Sequence, residues 1–159
     1  MAVRTCGRRL DGMSVFTDEE IEYLQSQALA RIATVGPDGH PHVIPVTFRF
    51  NEELDTIDIG GIAFGEGKKW RDAKQNPKVT FLLDDTFGSG KDRQARALEV
   101  RGHAELHETG GSEINPRFPN FAPQFFRIRP KRIVSWGLDE AATGRGFQRN
   151  ARTVSQQEE

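Results

Sequence analysis

The chain has 159 residues, with 22 Lys and Arg against 23 Asp and Glu, a formal net charge of -1 and a pI near 6.4. That length is one domain's worth, enough to bury a single core, and the lack of a global basic field disfavours nucleic acid as a partner. The single cysteine, Cys6, excludes an internal disulfide and a cysteine-built zinc site, in keeping with a reducing compartment.

Residues 1–12 carry Arg8-Arg9 but lack the apolar stretch of a secretory signal. No apolar run approaches the roughly 20 residues needed to span a bilayer, so no membrane partner and a cytoplasmic location are expected. Met13 opens a segment resembling an ordinary protein start, so 1–12 read as a dispensable leader, either an alternative initiation or a disordered arm. Residues 13–154 then form the single domain and 155–159 a polar tail.

Thr17 and Glu20 have the spacing of a capping box, and Phe16 and Ile21 occupy the staple positions around it, so a helix begins here with Ile21, Leu24 and Ala28 on its buried face. Leu29 to Val35 alternates toward the turn signal Gly36-Pro37-Asp38-Gly39, and His40 to Phe50 returns as the second strand of a hairpin. Residues 51–55 turn the chain into a strand over Thr56 to Ile59. Three strands without an intervening helix make a meander the simplest topology. Pro45 cannot donate a ladder hydrogen bond and marks an edge or bulge. A planar ligand could use the backbone groups left free there, although from local sequence the plain edge is favoured.

The run Gly60-Gly61-Ile62-Ala63-Phe64-Gly65-Glu66-Gly67-Lys68-Lys69-Trp70-Arg71-Asp72 joins flexible glycines to two adjacent lysines at a helix start. The first N–H groups of a helix lack internal partners, so one reading of this segment is a receptor for a phosphate. Lys69 stands where a P-loop needs Ser or Thr, and no third glycine completes a dinucleotide fingerprint, so neither motif applies. The competing reading is that both lysines merely solvate the helix start, where their charge opposes the helix dipole.

The helix runs to about Gln75 and stops at Asn76-Pro77. A strand is expected over Lys78 to Leu83, a mobile polar loop over Asp84 to Arg96, a long strand over Leu98 to Leu106, and irregular structure over 107–124. Strands over Phe125 to Arg129 and Arg132 to Gly137 complete a small, mainly antiparallel β-barrel with one or two helices. His103 and His107, and His40 and His42, gather no further ligands, so no metal site is expected. No nucleophile elbow or Cys/His pair is visible, so any chemistry must come from a bound cofactor.

Four segments occur together in order: Ala33 to Val46, Gly67 to Val79, Glu99 to Leu106, and Arg129 to Gly137. On them the chain resembles the pyridoxamine 5'-phosphate oxidase-like split β-barrel family, with a few helices around a mainly β core. More narrowly, it resembles the actinobacterial branch that uses the deazaflavin coenzyme F420, including reductases related to the one in oxytetracycline biosynthesis.

The resemblance implies a homodimer holding its cofactor at the subunit boundary. Lys68 and Lys69 match the basic pair that grips the cofactor phosphate. Val43, Pro45, Val46 and Thr47 match the strand beneath the ring, with Val46 and Thr47 offering backbone contacts, and Ile59 and Gly60 match the adjoining strand end. Trp136 matches an aromatic residue contributed by the partner subunit, and Arg149 a basic residue of the same lobe. Gly146 to Arg152 does not reproduce the oxidase's substrate-recognition segment, so vitamin B6 oxidation is not implied. The implied function is an F420H2-dependent reduction of an unsaturated small molecule, with no proton donor identifiable. The alternatives are an FMN-binding oxidoreductase of the same fold, or a non-catalytic F420- or flavin-binding carrier.

Overall fold

A computed structural model describes residues 14–139 and 149–155. Helix α1 (Asp18–Ser26) opens the fold with the expected capping box: Glu20 N–H donates to Thr17 Oγ1 at 3.2 Å, and Thr17 N–H donates to Glu20 Oε2 at 3.0 Å. Its inward face is Glu20, Tyr23 and Leu24, whereas Ala28 lies exposed beyond the helix end.

Strands β1 (Ala30–Val35) and β2 (Pro41–Val46) pair as the expected antiparallel hairpin, in register from Ala30–Val46 to Val35–Pro41. The returning strand does not run through to Phe50. It breaks at Thr47-Phe48 and resumes as the short β3 (Arg49–Asn51), which pairs with β4 (Thr56–Ile59). After a 3-10 turn at Phe64–Glu66 comes α2 (Lys68–Gln75), then β5 (Lys78–Phe87), β6 (Gln94–His107), β7 (Phe125–Trp136) and β8 (Arg149–Thr153).

The strand order is β2-β1-β5-β6-β7-β4-β3, with β8 beside β7, so a plain meander is not what forms. β1 turns away to pair with β5, and β4 reaches across to β7. One edge of β7 is covered along its length by β6, the other by β4 at Phe126–Ile128 and by β8 at Arg132–Trp136. The curled antiparallel sheet encloses Phe64, Phe81, Phe126, Ile32, Ile57, Ile59, Leu83, Leu98, Ile128 and Ile133.

Two expectations are corrected. The polar stretch Asp84 to Arg96 is not one loop, because β5 and β6 pair outward to Phe87–Gln94. Their polar residues pair with one another: Arg96 Nε and Nη2 reach Asp85 at 2.7 and 3.0 Å, and Tyr23 donates to the same carboxylate at 2.8 Å. Nor does Pro130 divide β7 in two. It lies at a bulge opposite Gly102, where a Cβ would stand 2.3 Å from the Arg129 carbonyl oxygen, so only glycine admits that approach. β8 was not expected at all.

Candidate functional site

Helix α2 begins at Gly67, which offers no side-chain cap to the first N–H groups. Lys68 does not project freely. Its ammonium donates to both oxygens of Asp72 one turn on, at 2.9 and 3.0 Å, and Thr34 Oγ1 of β1 donates to the same carboxylate at 2.9 Å. Asp72 is only 3% exposed. Burial works to raise its carboxyl, but the hydrogen bonds from Lys68 and Thr34 and the charges of Lys68 and His42 outweigh it and hold the group below the usual carboxylate range.

Lys69 differs from its neighbour. It is half-buried with its ammonium 4.6 Å from the Phe64 ring centroid, and burial pushes its pKa down. A cation held at a loss of solvation gains from an anion arriving beside it. Gly36 closes this corner: a Cβ there would lie 2.9 Å from Asp72 Oδ1 and 3.2 Å from Lys68 Nζ. His42, opposite Thr34 in the β1–β2 register, keeps a buried Nδ1 without a hydrogen-bond partner. Two cations, an uncapped helix start and an unsatisfied imidazole nitrogen fit a phosphate. Asp72, Thr34 and His42 were missed in the sequence because no motif marks them; only the i,i+4 spacing of Lys68 and Asp72 was there to be read.

Among the described residues β2 leads away from this corner as an edge strand, paired only with β1, which accounts for Pro45 directly. Val43 is 60% exposed and Pro45 is exposed, while Val46 turns inward. Arg49 pairs with Asp58 across β3 and β4, and Thr47 lies in the break between β2 and β3. Thr47 and Gly60 both lie just beyond the Arg49–Asp58 end of that pairing. Ile59 and Gly60 are buried, Gly60 beneath Phe121 and Ile114. From His42 to Thr47 the strand spans about 16 Å at ~3.3 Å per residue.

Trp136 and Arg149 stand opposite each other at the ends of β7 and β8. This pair is remote from Lys68 within one chain. β1 carries Gly36 toward the Lys78–His103 end of the sheet, whereas Trp136 pairs with Ala97, about 20 Å back along β6. Among the described residues no group of three or more His, Cys, Asp and Glu gathers to hold a metal. Among the described residues no helix is long and apolar enough to cross a membrane.

Residues 16–137 match the family model described as pyridoxamine 5'-phosphate oxidase. The chain belongs to that family, and the reductases it resembles support an oxidoreductase. It is 41% identical over 131 residues to the 5a,11a-dehydrotetracycline/5a,11a-dehydrooxytetracycline reductase of Streptomyces rimosus, covering 81% of this chain and 89% of that one. A solved F420 reductase is 27% identical, with a TM-score of 0.53 over 70% of this chain and 94% of its own. A conserved hypothetical protein of Mycobacterium tuberculosis shares the fold at 20% identity, with a TM-score of 0.60 over 96% and 99% of the two chains.

Proposed function

We propose that this protein is a homodimeric, cytoplasmic reductase that uses coenzyme F420 to reduce an electron-poor carbon–carbon double bond in a small molecule. The observation that carries the reading is the arrangement along β2. Lys68, held by Asp72 beside Thr34, stands with His42 at one end, Lys69 follows Lys68 on α2, and Thr47 lies at the other end, a span that suits an extended phosphate-bearing ring cofactor. The resemblance to a solved F420 reductase and to a dehydrotetracycline reductase supports both the cofactor and the reaction class.

When bound, the reduced deazaflavin would supply a hydride to one carbon of the double bond, and water or a nearby acid would supply the proton to the other. The chain's own part is positional. Lys68 and Lys69 hold the phosphate, and Asp72, fixed by Thr34, holds Lys68 at the helix start. The β2 backbone supports the ring edge, leaving the rate to proximity and orientation. Because Trp136 and Arg149 lie remote from the lysines, their contribution comes from the partner subunit, so each dimer has two composite sites.

Titration of the purified protein with F420 and with FMN tests this. Tight binding of F420, seen near ~420 nm, with turnover of an enone is expected, because the ring sets the absorption. Preference for FMN, seen near ~450 nm, would make it a flavin oxidoreductase instead. F420 binding without turnover of any enone would make it a carrier.

A further inference from the structure

Residues 111–123 fold back over the strand end that carries Gly60. Ala122 N–H donates to the Gly61 carbonyl at 2.9 Å, Gly111 N–H to the Pro123 carbonyl at 2.7 Å, and Arg49 Nη1 to the Glu113 carbonyl at 3.0 Å. Phe121 lies so close to Gly60 that a Cβ there would be 3.1 Å from its ring. Phe118 stacks on Phe121 with ring centroids 5.6 Å apart and planes 2° from parallel, yet remains 45% exposed.

This is an unusual place for a large apolar side chain. The turns that carry it are closed by Phe118 N–H to the Asn115 carbonyl at 3.0 Å and by Phe121 N–H to the Phe118 carbonyl at 3.3 Å. Pro116 and Pro119 flank Phe118 and reduce the conformations open to the segment. The aromatic pair is thus held in place rather than left to collapse into the core. Ile62, two residues past Gly60, is 69% exposed. Two of the large apolar side chains that face solvent therefore belong to the segments meeting at the Gly60 corner.

We infer that Phe118, backed by Phe121, is the platform on which the substrate lies, and that the substrate is a flat, fused-ring molecule. The inference rests on the cofactor reading above, which puts the ring end of the cofactor at Thr47, beyond the same end of the β3–β4 pairing as Gly60 and this loop. A flat π face suits offset stacking against an extended conjugated system and gains little from a small, single-ring molecule. Phe118 acts by orienting the double bond against the cofactor, and transfers no proton itself.

The test uses the full-length wild-type protein, Phe118→Ala and Phe118→Tyr, with calorimetric titration of 5a,11a-dehydrotetracycline as the fused-ring probe and, separately, of F420. Because Phe118 is solvent-exposed, both variants are expected to fold. The expected result is that Phe118→Ala weakens binding of the fused-ring probe about tenfold, that Phe118→Tyr restores it, and that the F420 dissociation constant is the same in all three. Equal affinity for the fused-ring probe in the wild type and Phe118→Ala, or no binding by the wild type, overturns the platform. A Phe118-dependent affinity in a protein that does not bind F420 would keep the platform and overturn the cofactor reading, so the two fail separately.

Discussion

Glu20 and Arg152, 132 residues apart in the chain, form an ion pair that docks the last strand onto the first helix. Glu20 is 1% exposed and accepts from four donors of three residues: Arg152 Nη2 at 2.5 Å, Arg152 Nη1 at 3.0 Å, Ser135 Oγ at 2.7 Å and the Thr17 N–H at 3.0 Å. The residue that caps α1 therefore also ties together β7 and β8, next to Trp136 and Arg149. Burial works to raise its carboxyl, but the bonds from Arg152, Ser135 and Thr17 outweigh it and hold Glu20 below the ordinary value.

A group whose folded-state pKa is depressed adds stability above its unfolded pKa and loses it as pH falls through the folded value. Glu20→Gln should cost about 2–3 kcal/mol at pH 7, below the usual figure for breaking a buried pair because Arg152 keeps part of its hydration. The variant should also lose less stability than wild type below about pH 4.5, since its Glu20 contribution is already gone. Denaturant melts across that range check both parts. Parallel acid limbs would show that the pair contributes nothing through Glu20's charge.

Lys68 and Lys69 should separate on mutation, although they are neighbours in sequence. Lys68→Ala leaves the buried Asp72 without its countercharge and should lower the melting temperature of the cofactor-free protein, whereas Lys69→Ala gives up a cation–π contact and should melt nearer to wild type. Both should weaken F420 binding, together by at least ~2 kcal/mol, or roughly 30-fold. Calorimetry on the two single variants decides. An unchanged affinity in both would remove the phosphate from this corner.

What the sequence made legible was what is local. The capping box, the Gly36–Gly39 turn and the proline stop of α2 each depend on a few adjacent residues, and each formed as read. The pairing of β4 with β7 and of β8 with β7 joins residues tens of positions apart, and no periodicity within either strand specifies its partner. Asp84, Asp85 and Arg96 looked like loop because they are polar; they lie in paired strands, where Asp85 meets Arg96 across β5 and β6 and Asp84 meets Arg31 of β1. At the candidate site the lysines were visible because glycines precede them. Asp72 looked like one more charge on a surface helix, and Phe118 like one more residue of an irregular stretch.

The composite site can be tested by complementation. Lys68→Ala/Lys69→Ala and Trp136→Ala should each bind F420 poorly as homodimers, because each removes one half of both sites. After subunit exchange, one site in each heterodimer should carry both wild-type halves, so up to one binding equivalent per heterodimer returns. Native mass measurement of the exchanged species, followed by titration, checks this. Heterodimers that form without regaining binding would place Trp136 in its own subunit's site or outside the site altogether.

The start of the domain offers a sharper contrast. Residues 1–12 lie outside the described residues, but the segment after them is firmly attached: Val15 N–H donates to Asp55 Oδ2 at 2.6 Å, and Ser14 Oγ bonds the other oxygen of the same carboxylate. Phe16 is 4% exposed and meets Phe50 edge to face at 5.4 Å. A chain starting at Met13 keeps all of these contacts and should match the full chain in denaturant midpoint, dimerisation and cofactor binding. Deleting through Phe16 removes a buried aromatic side chain as well as the staple, so the loss should be about 3–5 kcal/mol, the scale of a core phenylalanine rather than the ~1 kcal/mol of a helix cap. It also removes the carbonyl of Val15 that receives Arg152, and so should loosen β8 together with α1. Amide exchange at Asn150–Thr153 in the two truncated chains reads this directly: fast exchange only in the shorter one is expected, whereas equal protection would show that β8 is held by its pairing with β7 alone.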